Sequence, residues 1–450
     1  MTKVGMASLG CSKNLVDSER MLGLLVEAGY EITADPSEAE VLLVNTCGFI
    51  EEAKQEAINT ILEMAGYKTT GNCRALIVAG CLAQRYKGEL LRHIPEIDSI
   101  IGVGDVSSIQ EVVERTLRGE RLAQFSDPGR PGPGSRGGDA RQPMPRFPLT
   151  PRYTAYLRIA DGCSNRCSYC AIPFIRGPLR SRPMESLVEE SRALASSGVR
   201  EVVVVAQDST AYGVDLYGEP RLPELVRAVS RVEGLRWIRL MYCYPSRVSN
   251  ELIDVMASEP RVCRYIDMPV QHGSDRMLRA MNRSHDAESA LRAVERLRDA
   301  VPGIAIRTTF MVGFPGEGER DFEDLVEFIK AARFDRAGVF TYSNEDGTAA
   351  STMKPQVPSR VKRERYRRAM EIQKGISREI AEGLIGSKME VLIEGRDARD
   401  ARTRWIGRTH RDAPEVDGVV RVKGDDLAPG QFVTAVVTRV SAYDLWATLA

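Results

Sequence analysis

Short apolar runs alternate with amphipathic helical stretches over most of this chain, and this alternation constrains its fold more than any other feature. Before residue 128, strand-like runs occupy 3–9, 41–46 and 74–79, and helical patterns occupy 14–28, 51–65 and 83–93. Such alternation favours a parallel sheet with helices packed on its faces. We therefore predict an α/β fold whose first part, residues 1–127, is a doubly wound parallel-sheet domain.

Proline and glycine interrupt this pattern at residues 128–151, where they take 12 of 24 positions, and we predict a linker there. Six further strand-like runs then alternate with helices, at 155–160, 201–206, 236–242, 263–269, 304–311 and 336–342. Six βα units fall short of the eight that close a full barrel, so we predict a partial, open (β/α)6 barrel over residues 152–383.

The last part of the chain, residues 384–450, has a different pattern. Short strands at 389–394, 418–423, 432–440 and 443–449 are separated by Gly, Pro and Asp. This spacing predicts a small antiparallel β-barrel of OB-like size.

Composition limits the classes of function. The chain has 450 residues, and 62 Lys+Arg balance 62 Asp+Glu, which disfavours nucleic-acid binding by bulk electrostatics and leaves a local basic patch open. No apolar run is long enough to span a membrane, and the first residues lack a signal-peptide core, so we expect a cytoplasmic protein. Nine cysteines, an odd number in a reducing compartment, favour metal binding or catalysis over disulfides.

Three cysteines follow the first strand of the second domain in the segment DGCSNRCSYC, with the spacing C-x3-C-x2-C. We call them the loop trio: Cys163, Cys167 and Cys170. Closely spaced thiolates at the carboxyl edge of a sheet select an iron–sulfur cluster or zinc. A structural zinc site usually has four ligands, and the next cysteine, Cys243, lies about 70 residues away in a predicted strand. The alternatives of zinc and of three packing cysteines stay open at this point.

Three other cysteines each come just after the C-terminal end of a predicted parallel strand. We call them the strand-end trio: Cys11, Cys47 and Cys81. Because carboxyl strand ends share one edge of a sheet, these thiols are expected to converge, with Gly10, Gly48 and Gly80 allowing close backbone approach. The alternative is three free core cysteines. Cys73 precedes its strand and belongs to the opposite edge, and Cys243 and Cys263 are interpreted as packing residues within strands.

Several long segments resemble the radical S-adenosylmethionine methylthiotransferases over essentially the whole chain. SLGCSKNLVDSER, NTCGFIEEAKQEA and VAGCLAQRY resemble that family's auxiliary-cluster domain, AYLRIADGCSNRCSYCAIPFIRGPLRSRP its radical domain, and APEVDGVV its TRAM domain. AQDSTAYGVDLYGEPRLPEL and MPVQHGSDRMLRAMNR resemble the branch that modifies a ribosomal protein more than the branch that modifies transfer RNA. The linker, unusually rich in Gly, Pro and Arg, departs from the family pattern.

This resemblance implies two [4Fe–4S] clusters, a radical cluster on the loop trio and an auxiliary cluster on the strand-end trio. It also implies reductive cleavage of S-adenosylmethionine, hydrogen abstraction from an unactivated carbon, sulfur insertion, and methylation of that sulfur by a second S-adenosylmethionine. The implied product is 3-methylthio-aspartate in small-subunit ribosomal protein twelve; the alternative substrate is an adenosine of transfer RNA. A flavodoxin- or ferredoxin-type electron donor and a ribosomal RNA contact through the TRAM domain are further expectations, with no membrane partner.

Seven residues besides the cysteines are candidates for contacting S-adenosylmethionine: Tyr169, Gln207, Asp208, Arg307, Gly313, Phe314 and Pro315. Tyr169 lies within the loop trio, and Gln207 and Asp208 follow the second barrel strand. Arg307 could pair with a carboxylate, and the turn at 313–317 could bring backbone against the nucleoside. Each has a structural alternative: a helix cap, a barrel-interior ion pair or a tight βα turn.

Charge in the last domain bears weakly on the substrate. Residues 384–450 contain ten basic and ten acidic side chains, which disfavours transfer RNA and suits a basic protein. The basic run within 360–370 is interpreted as a solvated helix face, with a ribosomal RNA contact as the alternative. A non-catalytic iron–sulfur or zinc protein that binds RNA is an alternative class of function. A simple S-adenosylmethionine methyltransferase is disfavoured, because this sequence has no G-x-G-x-G loop after its first strand.

Overall fold

The computed structural model describes residues 1–128, 144–397, 405–424 and 426–450, so most of the predicted linker, residues 129–143, lies outside the described residues. The first sheet has six parallel strands in the order β2-β1-β3-β4-β5-β6. They are β1 (Lys3–Ser8), β2 (Glu31–Ile32), β3 (Val41–Thr46), β4 (Ala75–Gly80), β5 (Ser99–Ile101) and β6 (Leu122–Gln124). The strand order reverses between β1 and β3, which makes this edge the usual ligand crevice of an open α/β sheet.

Helices cover both faces of this sheet. They are α1 (Ser12–Glu27), α2 (Glu51–Thr70), α3 (Cys81–Tyr86), α4 (Gly88–His93) and α5 (Ile109–Leu117). Alternate residues of the strands pack on opposite faces of the sheet. One face forms a hydrophobic core with α1 and α5, and the other forms a core with α2, α3 and α4. The predicted doubly wound domain is confirmed. The predicted helix 83–93 is divided at Lys87, whose φ is +43°.

The second sheet has six parallel strands in the sequential order β14-β13-β12-β11-β10-β7, and its two outer strands do not pair with each other. The strands of the sheet are β7 (Thr154–Arg158), β10 (Glu201–Val205), β11 (Trp237–Leu240), β12 (Val262–Asp267), β13 (Ala305–Val312) and β14 (Arg336–Thr341). Two further short strands lie between β7 and β10 in the chain: β8 (Ala160–Asp161) and β9 (Arg180–Ser181). β8 and β9 form a separate antiparallel ribbon. The predicted partial (β/α)6 barrel is confirmed.

Nine helices accompany these strands within the described residues. They are α6 (Ile172–Arg176), α7 (Met184–Ser196), α8 (Val214–Tyr217), α9 (Leu222–Ser230), α10 (Asn250–Ser258), α11 (Asp275–Ala280), α12 (Ala287–Ala300), α13 (Glu319–Ala332) and α14 (Ser359–Glu382). No helix in the described ranges is long and apolar enough to cross a membrane.

The C-terminal strands close into a five-stranded barrel of order β15-β16-β17-β19-β18. They are β15 (Lys388–Gly395), β16 (Trp405–Thr409), β17 (Val420–Lys423), β18 (Phe432–Val440) and β19 (Leu445–Leu449). The predicted small barrel is confirmed. Strands β17 and β19 pair in parallel, and all other neighbouring strands of the barrel pair antiparallel.

Helix α1 joins the first sheet to the second through buried charges. Asp17, 3% exposed, pairs with both Arg158 of β7 and Arg176 of α6, the latter at 3.0 Å. Arg20 pairs with Glu190 of α7 at 3.4 Å. Because a buried charge separated from its partner is costly, these pairs fix how the two sheets dock.

The C-terminal barrel docks on the opposite edge of the second sheet, at the amino ends of the strands. Arg408 pairs with the fully buried Glu201, the first residue of β10, and the Trp237 indole nitrogen, at the start of β11, donates to Glu390 at 3.1 Å. The C-terminal barrel therefore leaves the carboxyl edge of the second sheet uncovered, and this edge faces the first sheet.

Candidate active site

The loop trio lies between β8 and α6, and the backbone of its loop is tightly folded. The Cys163 amide donates to Gly177 O at 3.0 Å, and the Cys170 amide donates to Cys167 O at 3.1 Å. Gly162 has φ +70°, and a Cβ there would lie 2.1 Å from Pro178 O, so only glycine fits. The spacing C-x3-C-x2-C thus becomes a compact local loop at the carboxyl edge of the second sheet.

The strand-end trio comes together as the parallel sheet requires. Cys11 precedes α1, Cys47 follows β3, and Cys81 begins α3 directly after β4. Asn14 joins their loops, because its Nδ2 donates to Leu9 O at 3.1 Å and Thr46 O at 2.9 Å, while its Oδ1 accepts from the Cys81 thiol at 3.4 Å.

Two glycines beside these cysteines permit the close approach. A Cβ on Gly80, φ +97°, would lie 2.3 Å from Asn45 Oδ1, and one on Gly10, φ +91°, would lie 2.8 Å from the Cys47 Cβ. Both positions combine a left-handed backbone with a crowded site, so neither accepts a larger residue.

The pKa values show that thiols within each trio act on one another. Burial raises the pKa of Cys81 to about 12, and the Cys11 and Cys47 thiols add to that increase. Burial likewise raises the pKa of Cys170 to about 12 and that of Cys163 to about 11, each with contributions from other thiols of the loop trio.

Cys11 is the exception, because its pKa is lowered. Burial opposes ionisation of this thiol, but Lys13, Arg176 and local backbone amides favour the thiolate and outweigh burial. The strand-end trio therefore contains one thiol that ionises more readily than an ordinary cysteine, beside two that ionise less readily.

Both trios face one cavity of about 370 Å³, within the usual range of small-molecule sites. Its lining is Cys11, Lys13, Asn14, Cys47, Phe49, Cys81, Cys163, Asn165, Cys167, Tyr169, Cys170, Ile172, Arg176, Gln207, Asp208, Tyr242, Cys243, Tyr244, Pro269, Gln271, Arg283 and Thr309. Two groups of three thiols, predicted from separate sequence patterns, thus share a single chamber between the two sheets.

The donor set fits a polynuclear cluster better than a single ion. In the described part of the chain, no three His, Cys, Asp or Glu side chains are grouped as one metal ion would require. Zinc would draw its sulfurs to within about 3.8 Å of one another, whereas an iron–sulfur cube binds each thiolate at a different iron. Each trio would bind a four-iron cube at three irons; Cys243, a seventh cysteine of the lining, is fully buried.

Each trio has an arginine beside it that the sequence reasoning missed. Arg176 donates to Asn14 Oδ1 at 2.6 Å and pairs with Asp17 and Asp161, and its charge favours the thiolates of Cys11 and Cys81. These buried cations offset the negative charge that thiolates bring into the cavity.

The second arginine, Arg283, serves the loop trio. It donates to Cys167 Sγ at 3.6 Å and to Pro269 O at 2.7 Å, and its guanidinium lies 3.8 Å from the centre of the Tyr244 ring. Arg283 is more than 100 residues from the cysteines in sequence, so only the folded barrel could reveal this contact.

Three of the expected cofactor contacts, Tyr169, Gln207 and Asp208, line the cavity. Gln207 Oε1 is buried and has no hydrogen-bond partner among the described residues, so it is available to a bound molecule. Asp208 accepts from Asn165 at 2.8 Å, and it also caps the turn after it by accepting from the Ala211 amide at 3.2 Å.

The other four expected contacts do not line the cavity. Arg307 instead pairs with Asp267 at 2.8 Å, the barrel-interior alternative. The Gly313 and Phe314 amides donate to the Glu317 carboxylate at 2.7 and 3.2 Å, which leaves them no donor for a nucleoside. Phe314 is fully buried, and Pro315 is buried beside it in the same tight turn.

The remaining cysteines lie outside the trios. Cys73 precedes β4, is 7% exposed and packs in a core of the first sheet. Cys263 is buried within β12. The prediction that Cys243 lies in a strand is wrong: β11 ends at Leu240 because the backbone turns at Tyr242, φ +60°. Cys243 is nevertheless fully buried, and burial raises its pKa well above the usual range.

Family models match three parts of the chain. Residues 3–102 match "Uncharacterized protein family UPF0004", residues 157–329 the radical SAM superfamily, and residues 385–449 the TRAM domain. The strand-end trio lies in the first match and the loop trio in the second.

Solved structures share the fold. A radical S-adenosylmethionine methyltransferase, TsrM from Kitasatospora setae, with cobalamin and a [4Fe–4S] cluster bound, matches with a TM-score of 0.58 at 17% identity, covering 78% of this chain and 77% of that one. The cobalamin-dependent radical enzyme OxsB matches with a TM-score of 0.53 at 11% identity, covering 83% and 56%.

Curated relatives match over nearly the full length. The ribosomal protein uS12 methylthiotransferase RimO of Desulforudis audaxviator is 50% identical over 445 residues, 99% of this chain and 96% of that protein. RimO of Geobacter sulfurreducens is 47% identical over 444 residues, 98% and 97% of the two chains. At this identity and coverage, the chain belongs to the RimO family of ribosomal protein uS12 methylthiotransferases.

Proposed function

We propose that this protein attaches a methylthio group to the β-carbon of an aspartate in ribosomal protein uS12, forming 3-methylthio-aspartate. The observation that carries the proposal is the single cavity lined by both trios, in a chain about 50% identical to RimO proteins over its length. Radical generation and sulfur insertion must act on one carbon, so their two centres must share one chamber.

In this proposal the loop trio holds a radical [4Fe–4S] cluster and the strand-end trio holds an auxiliary one. When bound, these clusters and S-adenosylmethionine would supply the one-electron chemistry, the inserted sulfur and its methyl group. The protein's share is to hold, orient and enclose them.

The cavity residues divide this work. Tyr169 and the unpartnered Gln207 Oε1 orient S-adenosylmethionine beside the loop trio. Arg176 and Arg283 balance the thiolate charge on either side. Aromatic lining residues, Phe49 and Tyr244 among them, enclose the chamber and keep other reactants in solution away from the carbon radical.

A protein substrate is favoured over the alternative, an adenosine of transfer RNA. The relatives at 47–50% identity are uS12 methylthiotransferases, and the C-terminal domain has no net charge. In that domain Arg408 pairs with the buried Glu201 and Arg411 with the buried Asp335, so neither arginine is available to bind phosphates. A residual contact of the TRAM domain with ribosomal RNA remains part of the proposal.

The remaining elements of the proposal concern the setting. A flavodoxin- or ferredoxin-type protein supplies electrons, and the reaction takes place in the cytoplasm, where ribosomes assemble.

We divide the chain into an auxiliary-cluster domain (1–127), a linker (128–151), a radical domain (152–383) and a TRAM domain (384–450), since each sheet is confined to one of these segments.

Anaerobic reconstitution tests the function. The protein should bind about eight iron atoms per chain and cleave S-adenosylmethionine when reduced. Incubated with purified uS12, it should add the mass of one methylthio group to one aspartate, as read by peptide mass spectrometry. Stoichiometric zinc without cleavage, or a modified adenosine in transfer RNA with unmodified uS12, would contradict the proposal.

A further inference from the structure

One cation in the cavity has no carboxylate partner among the described residues, although it lowers the pKa of the nearby Cys11 thiol. Lys13 is 6% exposed and lines the chamber between the two trios. Its ammonium lies 3.4 Å from the centre of the Tyr242 ring. Within the described ranges it forms no salt bridge and donates no side-chain hydrogen bond, although an ammonium has three donors.

The other two cations of the cavity are already engaged. Arg176 pairs with two carboxylates, and Arg283 donates to a thiol and a carbonyl. The one carboxylate in the described lining, Asp208, is bound by Arg247, Asn165 and Thr210. No acidic group of the lining is therefore left for Lys13.

The position of Lys13 is held from both sheets. Asn14, the next residue, is hydrogen-bonded to the ends of two strands of the first sheet. Tyr242 comes from the second sheet, where its backbone takes φ +60° and its amide donates to Asp267 at 3.1 Å. A left-handed aromatic residue is strained, and such strain persists only where the surrounding structure imposes it.

A nearly buried ammonium with no carboxylate partner keeps hydrogen-bond donors free, so the arrangement suits a ligand that brings a carboxylate. The proposed target is an aspartate, and its carboxylate is one bond from the β-carbon that must lie between the two trios. A nucleobase offers no such charge.

We propose that Lys13 binds the side-chain carboxylate of the target aspartate and thereby selects an acidic residue over its amide. The inference rests on the function proposed above and deepens it: the Tyr242 ring holds the ammonium in place, and uS12 supplies the carboxylate that the lining does not offer to Lys13.

The test is a binding cycle between enzyme and substrate variants. Reconstituted holoenzyme is titrated anaerobically with purified uS12 carrying the target aspartate or asparagine in its place. The wild-type enzyme should bind the aspartate form on the order of tenfold more tightly. Lys13→Gln should bind both forms equally, at about the wild-type affinity for the asparagine form, and Lys13→Arg should keep part of the discrimination.

The matched control is Lys3→Gln, which removes a surface lysine paired with Glu38 at 2.7 Å and should leave both affinities unchanged. Undiminished discrimination in Lys13→Gln would overturn the proposal, as would an equal loss of affinity for both forms of uS12.

Two further readouts separate other roles of Lys13. Weaker binding of S-adenosylmethionine to Lys13→Gln would assign the ammonium to that molecule's carboxylate and overturn the proposal. Loss of iron from both Lys13→Gln and Lys13→Met would assign it to the cluster, with the same consequence. If the wild-type enzyme leaves uS12 unmodified, the proposed function itself fails; if it modifies uS12 while Lys13→Gln still discriminates, only the assignment of Lys13 fails.

Discussion

The two trios reach the same cavity by different routes. The loop trio lies within eight consecutive residues, and its loop is tied to the barrel by Ser168, which donates to Met281 O at 3.0 Å and to Ala280 O at 2.8 Å. The strand-end trio is assembled from three strand ends across 71 residues, and its geometry depends on strand pairing, on Asn14 and on glycines. A change in the first sheet should therefore disturb the strand-end trio, which is built from its strand ends, more than the loop trio, which lies on the second sheet.

Removal of one loop-trio thiol has the largest expected effect. Cys170→Ala should abolish formation of 5′-deoxyadenosine, because a radical cluster with two protein ligands would not be retained. Chromatography of single-turnover reactions under reducing conditions measures the product. Formation at the wild-type rate would show that the loop trio is not the radical site.

Removal of one strand-end thiol should separate the two activities. Cys47→Ala should halve the iron content from about eight to about four atoms per chain and stop methylthiolation, while 5′-deoxyadenosine still forms. Cys73→Ala, a buried cysteine at the opposite sheet edge, is the matched control and should keep both activities. Methylthiolation of uS12 by Cys47→Ala at the wild-type rate would refute the two-cluster assignment.

A backbone change should affect the strand-end trio alone. Gly80→Ala would force a Cβ against Asn45 and Thr46 next to Cys81, lowering the free energy of unfolding by about 1–3 kcal/mol and releasing the auxiliary iron. Gly29→Ala is the control, since Gly29 also has positive φ, +88°, but open space around it. Denaturant melts and iron analysis measure both variants; equal behaviour would mean that crowding at Gly80 does not shape the site.

The smallest expected difference is in thiol reactivity of the apo-protein. The pKa of Cys11 is lowered, so its thiolate should appear at lower pH than that of an ordinary cysteine, whereas Cys81 and Cys170, with pKa values of about 12, should stay protonated. Iodoacetamide at neutral pH, followed by peptide mass spectrometry, should label Cys11 first. Earlier labelling of Cys81 or Cys170 would contradict this order.

The sequence was sufficient for the fold and for both trios because each rests on a regular pattern. Strand–helix alternation predicted the two parallel sheets, and the rule that carboxyl strand ends share an edge brought Cys11, Cys47 and Cys81 together. The strands of the first sheet that it missed are short: β2, β5 and β6 have two or three residues, too few to show alternation, and the helix α5 was missed as well. Strand β16 was missed as well, since it follows residues rich in Arg and Asp.

Partners across domains could not be predicted in this way. Arg176 and Arg283 meet their thiols only because the two sheets dock and the barrel curves. Arg307 was expected to pair with a carboxylate of the cofactor, and the turn at 313–317 to bring its backbone against the nucleoside, yet Asp267 and Glu317 occupy their donors. Proximity of Lys13 to Cys11 in sequence was the one available signal for its role.

The charged residues buried on α1 determine how the enzyme can move. Separating the two sheets would strip Asp17 from both Arg158 and Arg176, at about 3–5 kcal/mol for a buried charge left unpaired. We therefore expect the distance between the two trios to be set when the chain folds and to stay constant through turnover, so that uS12 enters by the mouth of the chamber and no hinge opens to admit it.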